Sequence, residues 1–179
     1  MKIIKGILFT ILGIIALALI VALFMPKQYA VEREVVINQP KDTVFNYVKY
    51  LKNQDNFSVW SKTDPNMKKT FTGVDGTIGA IAAWESDNEE VGVGEQEIIN
   101  IAEGKQIDFE LRFKVPFEST AKAYMITEVI SPNETKTKWG FSGAMDYPMN
   151  LMLPILQMEK LIGNDLQTGL ENLKILLEK

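Results

Sequence analysis

The side chains able to do chemistry in this sequence are carboxylates, lysines, tyrosines and hydroxyls, because its 179 residues contain neither histidine nor cysteine. That excludes Ser-His-Asp triads, thiol nucleophiles, zinc fingers, disulfide frameworks and His- or Cys-ligated haem. A lipoprotein anchor, which needs a cysteine to acylate, is excluded too. Glu85, Glu95, Glu97 and Glu110 fall within strand-like runs, where a buried pair could divide general acid and general base roles. The alternation around them favours a solvated outer face instead. Lys160 has no partner at helical spacing that would make it unusual. Gly73-x-x-Gly76-x-x-Gly79 lacks both the dinucleotide fingerprint and the Lys-Ser/Thr of a P-loop, so it reads as a turn. Asp87-Asn88-Glu89-Glu90 misses the EF-hand spacing and reads as a charged hairpin tip. Asn56-Phe57-Ser58 and Asn133-Glu134-Thr135 fit the glycosylation pattern, with turn chemistry sufficient to explain the second. No metal site and no cofactor is implied.

What remains is aromatic. Trp60, Phe71, Trp84, Phe109, Phe113, Trp139, Phe141 and Tyr147 could line an apolar pocket or simply fill a core, and Met149, Met152 and Met158 offer adaptable packing beside them.

These residues depend on the following elements for their positions. A strand over Ala30–Ile37 is closed by Asn38-Gln39-Pro40, and a helix follows in which Val44, Phe45, Val48 and Leu51 share one face. Asn53–Trp60 is a shorter helical or irregular piece whose Phe57, Val59 and Trp60 plug a core. The period then becomes two, predicting strands at 68–72, 79–85, 91–101, 106–115, 120–130 and 135–142, an antiparallel meander. Along Ile107–Phe113 the alternation is strict: Ile107, Phe109, Leu111 and Phe113 share a covered face, opposite Asp108, Glu110 and Arg112. Trp84 with Ala80 and Ala82, and Trp139 with Phe141, belong to that covered face. The adjacent Ile98-Ile99 predicts a bulge. From Leu151 the stripe Leu151, Ile155, Met158, Ile162, Leu166, Leu170 and Leu173 predicts one long amphipathic helix to the C-terminus.

In front of this body, residues 6–25 run without a charge, and about 20 residues at 1.5 Å each match a hydrocarbon core of roughly 30 Å. The stretch exceeds an ordinary signal-peptide core, and LFMPKQYA offers no small-x-small cleavage site, which favours an uncleaved anchor over a cleaved signal. Pro26 is the boundary, giving an anchor at 1–26 and a folded body at 27–179. Lys2 and Lys5 lie ahead of the span, an arrangement that keeps the N-terminus in the cytoplasm and places the body outside the inner membrane. Beyond residue 25 the chain has 17 basic and 23 acidic side chains, a net charge of −6. With no basic stripe to neutralise phosphates, nucleic acid is a poor partner.

The order strand, two helical pieces, six strands and a long C-terminal helix, carried by VEREVVINQPKDTVFNYV, Trp60-Ser61, GVDGTIGAIAAWES, VGVGEQEIINIAEGKQIDFELRF, KTKWGFSG and GNDLQTGLENLKILLEK, resembles the START-like superfamily of polyketide cyclase/dehydrase and lipid-transport proteins, also called SRPBCC or Bet v 1-like. The resemblance spans about Tyr29 to Lys179. It implies an α+β helix-grip fold: a curved antiparallel sheet of about seven strands wrapped around the final helix, here behind one transmembrane helix. It also implies a cavity between sheet and helix for a lipid, sterol, polyketide or other apolar molecule, with Trp84, Phe109, Leu111, Trp139, Met158 and Ile162 foremost among its walls. Such domains have no universal catalytic residue, so none is carried over. The expected function is membrane-tethered binding or transport of a small hydrophobic ligand. The alternatives are a cyclase, dehydratase or hydrolase working through Glu, Tyr or Lys, and a structural domain with a filled interior.

Overall fold

A computed structural model describes residues 2–179. Helix α1 (Lys2–Phe24) is followed by strand β1 (Gln28–Ile37), helix α2 (Lys41–Val48), a 3-10 turn at Leu51–Asn56 and the short helix α3 (Trp60–Thr63). Strands β2 (Lys68–Thr72), β3 (Ile81–Glu85), β4 (Val93–Ala102), β5 (Gln106–Val115), β6 (Ser119–Ser131) and β7 (Glu134–Ala144) form the meander. A 3-10 turn at Met149–Met152, helix α4 (Leu153–Leu156) and helix α5 (Met158–Leu177) complete the chain. The seven strands make one antiparallel sheet in the order β1-β7-β6-β5-β4-β3-β2. The last strand therefore returns to the first, while the helical run from α2 to α3 carries the chain from one sheet edge to the other.

The bulge expected at Ile98-Ile99 is present: Ile98 pairs with Phe109 and Asn100 with Asp108, leaving Ile99 as the extra residue. Such an insertion bends the strand, and here it keeps Ile98 buried while turning Ile99 outward. Helix α5 lies against the inner face with Leu166, Leu170 and Leu173 fully buried. Full burial of such a side chain contributes about 1.5–3 kcal/mol. Val44, Phe45 and Val48 of α2 close the core from the far end, against Ile37, Ile98, Ile107, Phe109 and Met125.

Two glycines set how deeply α5 can sit. A Cβ at Gly163 would collide with the Arg33 guanidinium, and one at Gly169 would lie 2.7 Å from the Trp139 ring. Arg33 is thus an inward-facing cation of β1, held by Glu159 at 2.7 Å and by that residue's carbonyl at 3.0 Å.

The C-terminal stripe is interrupted. Gln157 adopts a left-handed conformation (φ 48°) that ends α4, and its carbonyl accepts hydrogen bonds from Lys160 and Leu161 as α5 begins. Leu151 falls in the separate 3-10 turn, and Ile155, exposed, leaves the packed stripe.

The outer face carries ion pairs. Arg112 reaches Glu95, Glu97 and Glu110 at 2.7–2.8 Å, and Lys114 reaches Glu95 at 2.8 Å. Hydrogen bonds from Lys114 first and Arg112 second hold the Glu95 carboxyl below its ordinary range. Nearby, the Tyr124 ring covers Gly140 and its hydroxyl donates to Glu32. Burial, then Glu32, pushes that phenol up to about 12. Of the acids considered for catalysis, Glu95, Glu97 and Glu110 are therefore tied into ion pairs on the side of the sheet opposite α5, and Glu85 pairs with Lys68 at 3.0 Å.

At the N-terminus, Ile3–Phe24 is long and apolar enough to cross a bilayer (mean hydropathy 3.1). Its Thr10 hydroxyl is satisfied by the Gly6 carbonyl. The helix end is tied to the body: Asn150, fully buried, donates from Nδ2 to the carbonyls of Ala22 (2.7 Å) and Met25 (3.2 Å), and Met145 N–H donates to Lys27.

Replacing Arg112 with Met leaves three carboxylates facing one another. Denaturant unfolding of the full chain in detergent should show a loss of about 1–2 kcal/mol at pH 7, between the values for exposed and buried pairs. A carboxylate with a depressed pKa contributes its stability above its unfolded pKa and loses it as pH falls. The difference between variant and parent should therefore shrink below about pH 4.

Candidate ligand cavity

The inner face is filled at the α2 end and open at the other. Side chains directed at α5 change in size along the sheet: Ile107, Phe109 and Met125 are fully packed, whereas Ala82, Gln96 and Ala123 leave space. The resulting cavity of about 370 Å³ lies between the sheet, α5 and the segment Leu51–Ser61, and it falls within the size range of small-molecule sites.

Nine of the residues expected from the sequence stand on its walls: Trp60, Phe71, Trp84, Leu111, Phe113, Trp139, Phe141, Met158 and Ile162. Phe109 shares their face of the sheet but lies in the filled half, 1% exposed. Tyr147 lies outside the walls on the loop after β7, and Tyr29, which the sequence reading omitted, takes a place beside Phe141. Burial raises the pKa of the Tyr29 phenol.

The aromatic walls brace one another. Trp139 meets Phe57 edge-on at 5.5 Å and Trp60 at 6.0 Å, while Trp84 meets Phe113 at 6.0 Å. The indole N–H of Trp84 donates to the Val91 carbonyl at 3.2 Å, which satisfies its polar atom in the wall. All three tryptophans of the chain line the same space.

A polar group occupies one side of it. Lys69 pairs with Asp55 at 2.7 Å, the Ser61 hydroxyl donates to the same carboxylate at 3.1 Å, and Ser58, Gln96 and Glu90 also border the cavity. Gln54 stands next to them, buried, with its Nε2 donor lacking any hydrogen-bond partner. A buried unmet donor is costly. These residues escaped the sequence reading, although a signal existed: in β2, Lys69 alternates in phase with Phe71 and pairs across the ladder with Trp84. The Asp87–Glu90 tip is organised by local hydrogen bonds, from Asn88 N–H to Ser86 and from Glu90 N–H to Asn88.

Truncating a brace and truncating a cavity wall should differ. Trp139→Ala should destabilise the fold by about 3–5 kcal/mol, as for other buried aromatics. Met158→Ala, at the half-buried rim, should cost about 1 kcal/mol. Urea denaturation of both variants checks the contrast.

No family model matches the chain, and no curated protein does. Solved structures do. A norcoclaurine synthase point mutant from Thalictrum flavum, in complex with a transition-state analogue, superposes with a TM-score of 0.61 at 10% identity, over 84% of this chain and 94% of that one. A protein from Nitrosospira multiformis gives 0.58 at 13% identity, over 82% and 94%. Ara h 8.0201 gives 0.53 at 13% identity, over 84% and 97%. Sequence identity at this level speaks to architecture alone. Seven antiparallel strands curved around a C-terminal helix, matched by these structures over 82–84% of the chain, give it the Bet v 1-like helix-grip fold.

Proposed function

We propose that this protein is a membrane-tethered binding module that holds one small, lipid-like hydrophobic molecule between the sheet and α5. The observation that carries the reading is the cavity of about 370 Å³, whose walls contain every tryptophan of the chain. Apolar walls with a few placed polar groups are the usual form of a site for a small hydrophobe. The Lys69 ammonium and the Ser58 and Ser61 hydroxyls on one wall suit a ligand whose apolar body ends in a hydrogen-bond acceptor such as a carboxylate, ester or ketone.

In this reading, residues 1–26 are the anchor and residues 27–179 the binding domain. The early Lys2 and Lys5 keep the N-terminus in the cytoplasm and the domain on the other side. The tether holds the cavity close to a reservoir of apolar molecules. A second reading, catalysis on an apolar substrate, draws on the Lys69–Asp55–Ser61 group, which brings an ammonium, a carboxylate and a hydroxyl to the cavity wall.

Residues 27–179, expressed without the anchor, should be soluble and folded; aggregation would move the boundary away from Pro26. Native mass spectrometry of that protein, followed by solvent extraction, should find one apolar molecule per chain. Ala123→Leu, which projects into the cavity, should abolish its retention with the unfolding midpoint little changed. A protein that arrives empty and takes up none of a panel of fatty acids, phospholipids and sterols would contradict binding. Turnover of a bound panel member that Lys69→Met abolishes, with binding intact, would favour the enzyme.

A further inference from the structure

We infer that the end of the sheet beside α1 is itself a bilayer-docking surface, seated in the lipid interface through Phe117 and the segment Met149–Leu161. The inference rests on reading α1 as a membrane anchor. It goes further by fixing how the domain stands on the membrane.

The topology comes first. The antiparallel register gathers the start of β1, the end of β7, the start of β2 and the β3–β4 and β5–β6 hairpin tips at one end of the sheet. Three residues separate Phe24 at the end of α1 from Gln28 at the start of β1, so this is the end that faces the membrane. The 22 residues Ile3–Phe24 of α1 span about 33 Å as a helix, roughly one hydrocarbon core. The last turn of α1 therefore lies at the lipid boundary.

The body is locked to that turn. Asn150 places its buried amide on the carbonyls of Ala22 and Met25, which satisfies two acceptors that a helix C-terminus leaves open. Asn150 belongs to the Met149–Met152 turn, so this turn is held at the same depth as the end of the anchor.

Composition and exposure agree with the placement. From Tyr147 to Met158 twelve consecutive residues carry no charge. Met149, Ile155, Leu156 and Leu161 are exposed, Ile155 at 70%, and Phe117 on the β5–β6 tip is 81% exposed. Exposed apolar clusters of this kind mark interaction surfaces, and this one is continuous with the apolar anchor. Gln157 and its left-handed turn belong to the same segment. Leu161 and Met158 also border the cavity, so its rim stands at the level of the lipid headgroups.

The charged groups at this end define the kind of surface. Asp87, Glu89 and Glu90 on the β3–β4 tip, with Glu118, Asp146 and Glu159, outnumber Lys27, Lys114 and Lys160. The seat therefore rests on apolar insertion, not on attraction to anionic lipid, and a zwitterionic bilayer suffices.

The chain has no cysteine, so single cysteines can be placed and spin-labelled without background. The full chain is reconstituted into phosphatidylcholine vesicles with a label at one of Ile14→Cys, Phe117→Cys, Ile155→Cys or Glu103→Cys, the last on the opposite β4–β5 turn. Accessibility to oxygen, which concentrates in lipid, is compared with accessibility to a water-soluble nickel chelate. The inference predicts an oxygen-to-nickel ratio at Phe117 and Ile155 several-fold above that at Glu103, with Ile14 higher still. If Ile14 reports lipid while Phe117 and Ile155 match Glu103, the docking surface is overturned and the anchor stands. If Ile14 itself reports water, the anchor reading falls and the docking surface with it.

Discussion

The close seat of α5 on the sheet is the contact on which the rest of the molecule depends. It is achieved by removing side chains from the helix where the sheet projects: Gly163 receives the Arg33 guanidinium and Gly169 the edge of Trp139. Between and beyond these points Leu166, Leu170 and Leu173 are buried completely. Each large group on the sheet is thus matched by an absence on the helix. A close-packed interior requires such matching wherever two rigid elements meet. Arg33 adds a fixed charge to the seat, tying β1 to the first turn of α5 through Glu159.

With α5 positioned by that half of the sheet, the other half is left without a partner. The sheet there presents Ala82, Gln96 and Ala123 rather than residues large enough to reach the helix, and the aromatic rings turn against one another around the gap. Leaving the space unoccupied forfeits dispersion contacts along its whole lining. The buried Gln54 donor adds a polar deficit of the same sense. On the proposed reading, an apolar molecule in the space would restore the contacts its lining lacks. The outer face takes no part in this, because Arg112 and Lys114 already satisfy its carboxylates.

Much of this architecture could be read from the residues themselves. Strict alternation through Ile107–Phe113 assigned a face to every side chain of β5, and the doubled Ile98-Ile99 located the bulge because it breaks that alternation. Alternation cannot say how far along the sheet the helix extends its cover. That is why Phe109 and Leu111, on one face and one strand, separate into packed core and cavity wall. The break at Gln157 was hidden for a related reason: Leu151 and Ile155 continue a helical stripe in sequence, yet Ile155 is exposed rather than packed on the sheet. Gln54, Asp55 and Lys69 were overlooked because polar residues in a surface-like run resemble solvated ones until cross-strand pairing brings Lys69 opposite Trp84.

The central claim is that an apolar molecule enters the space bounded by Trp60, Trp84 and Trp139, and these are all the tryptophans the chain has. Indole emission, excited selectively over the five tyrosines, therefore reports on that space. The decisive measurement is titration of the protein with a fatty acid brominated along its chain, bromine being a short-range quencher of indole emission. The account predicts saturable quenching that ends at one equivalent and is competed away by the unbrominated acid. Emission that stays unchanged, while the same acid quenches a known lipid-binding protein, would contradict it.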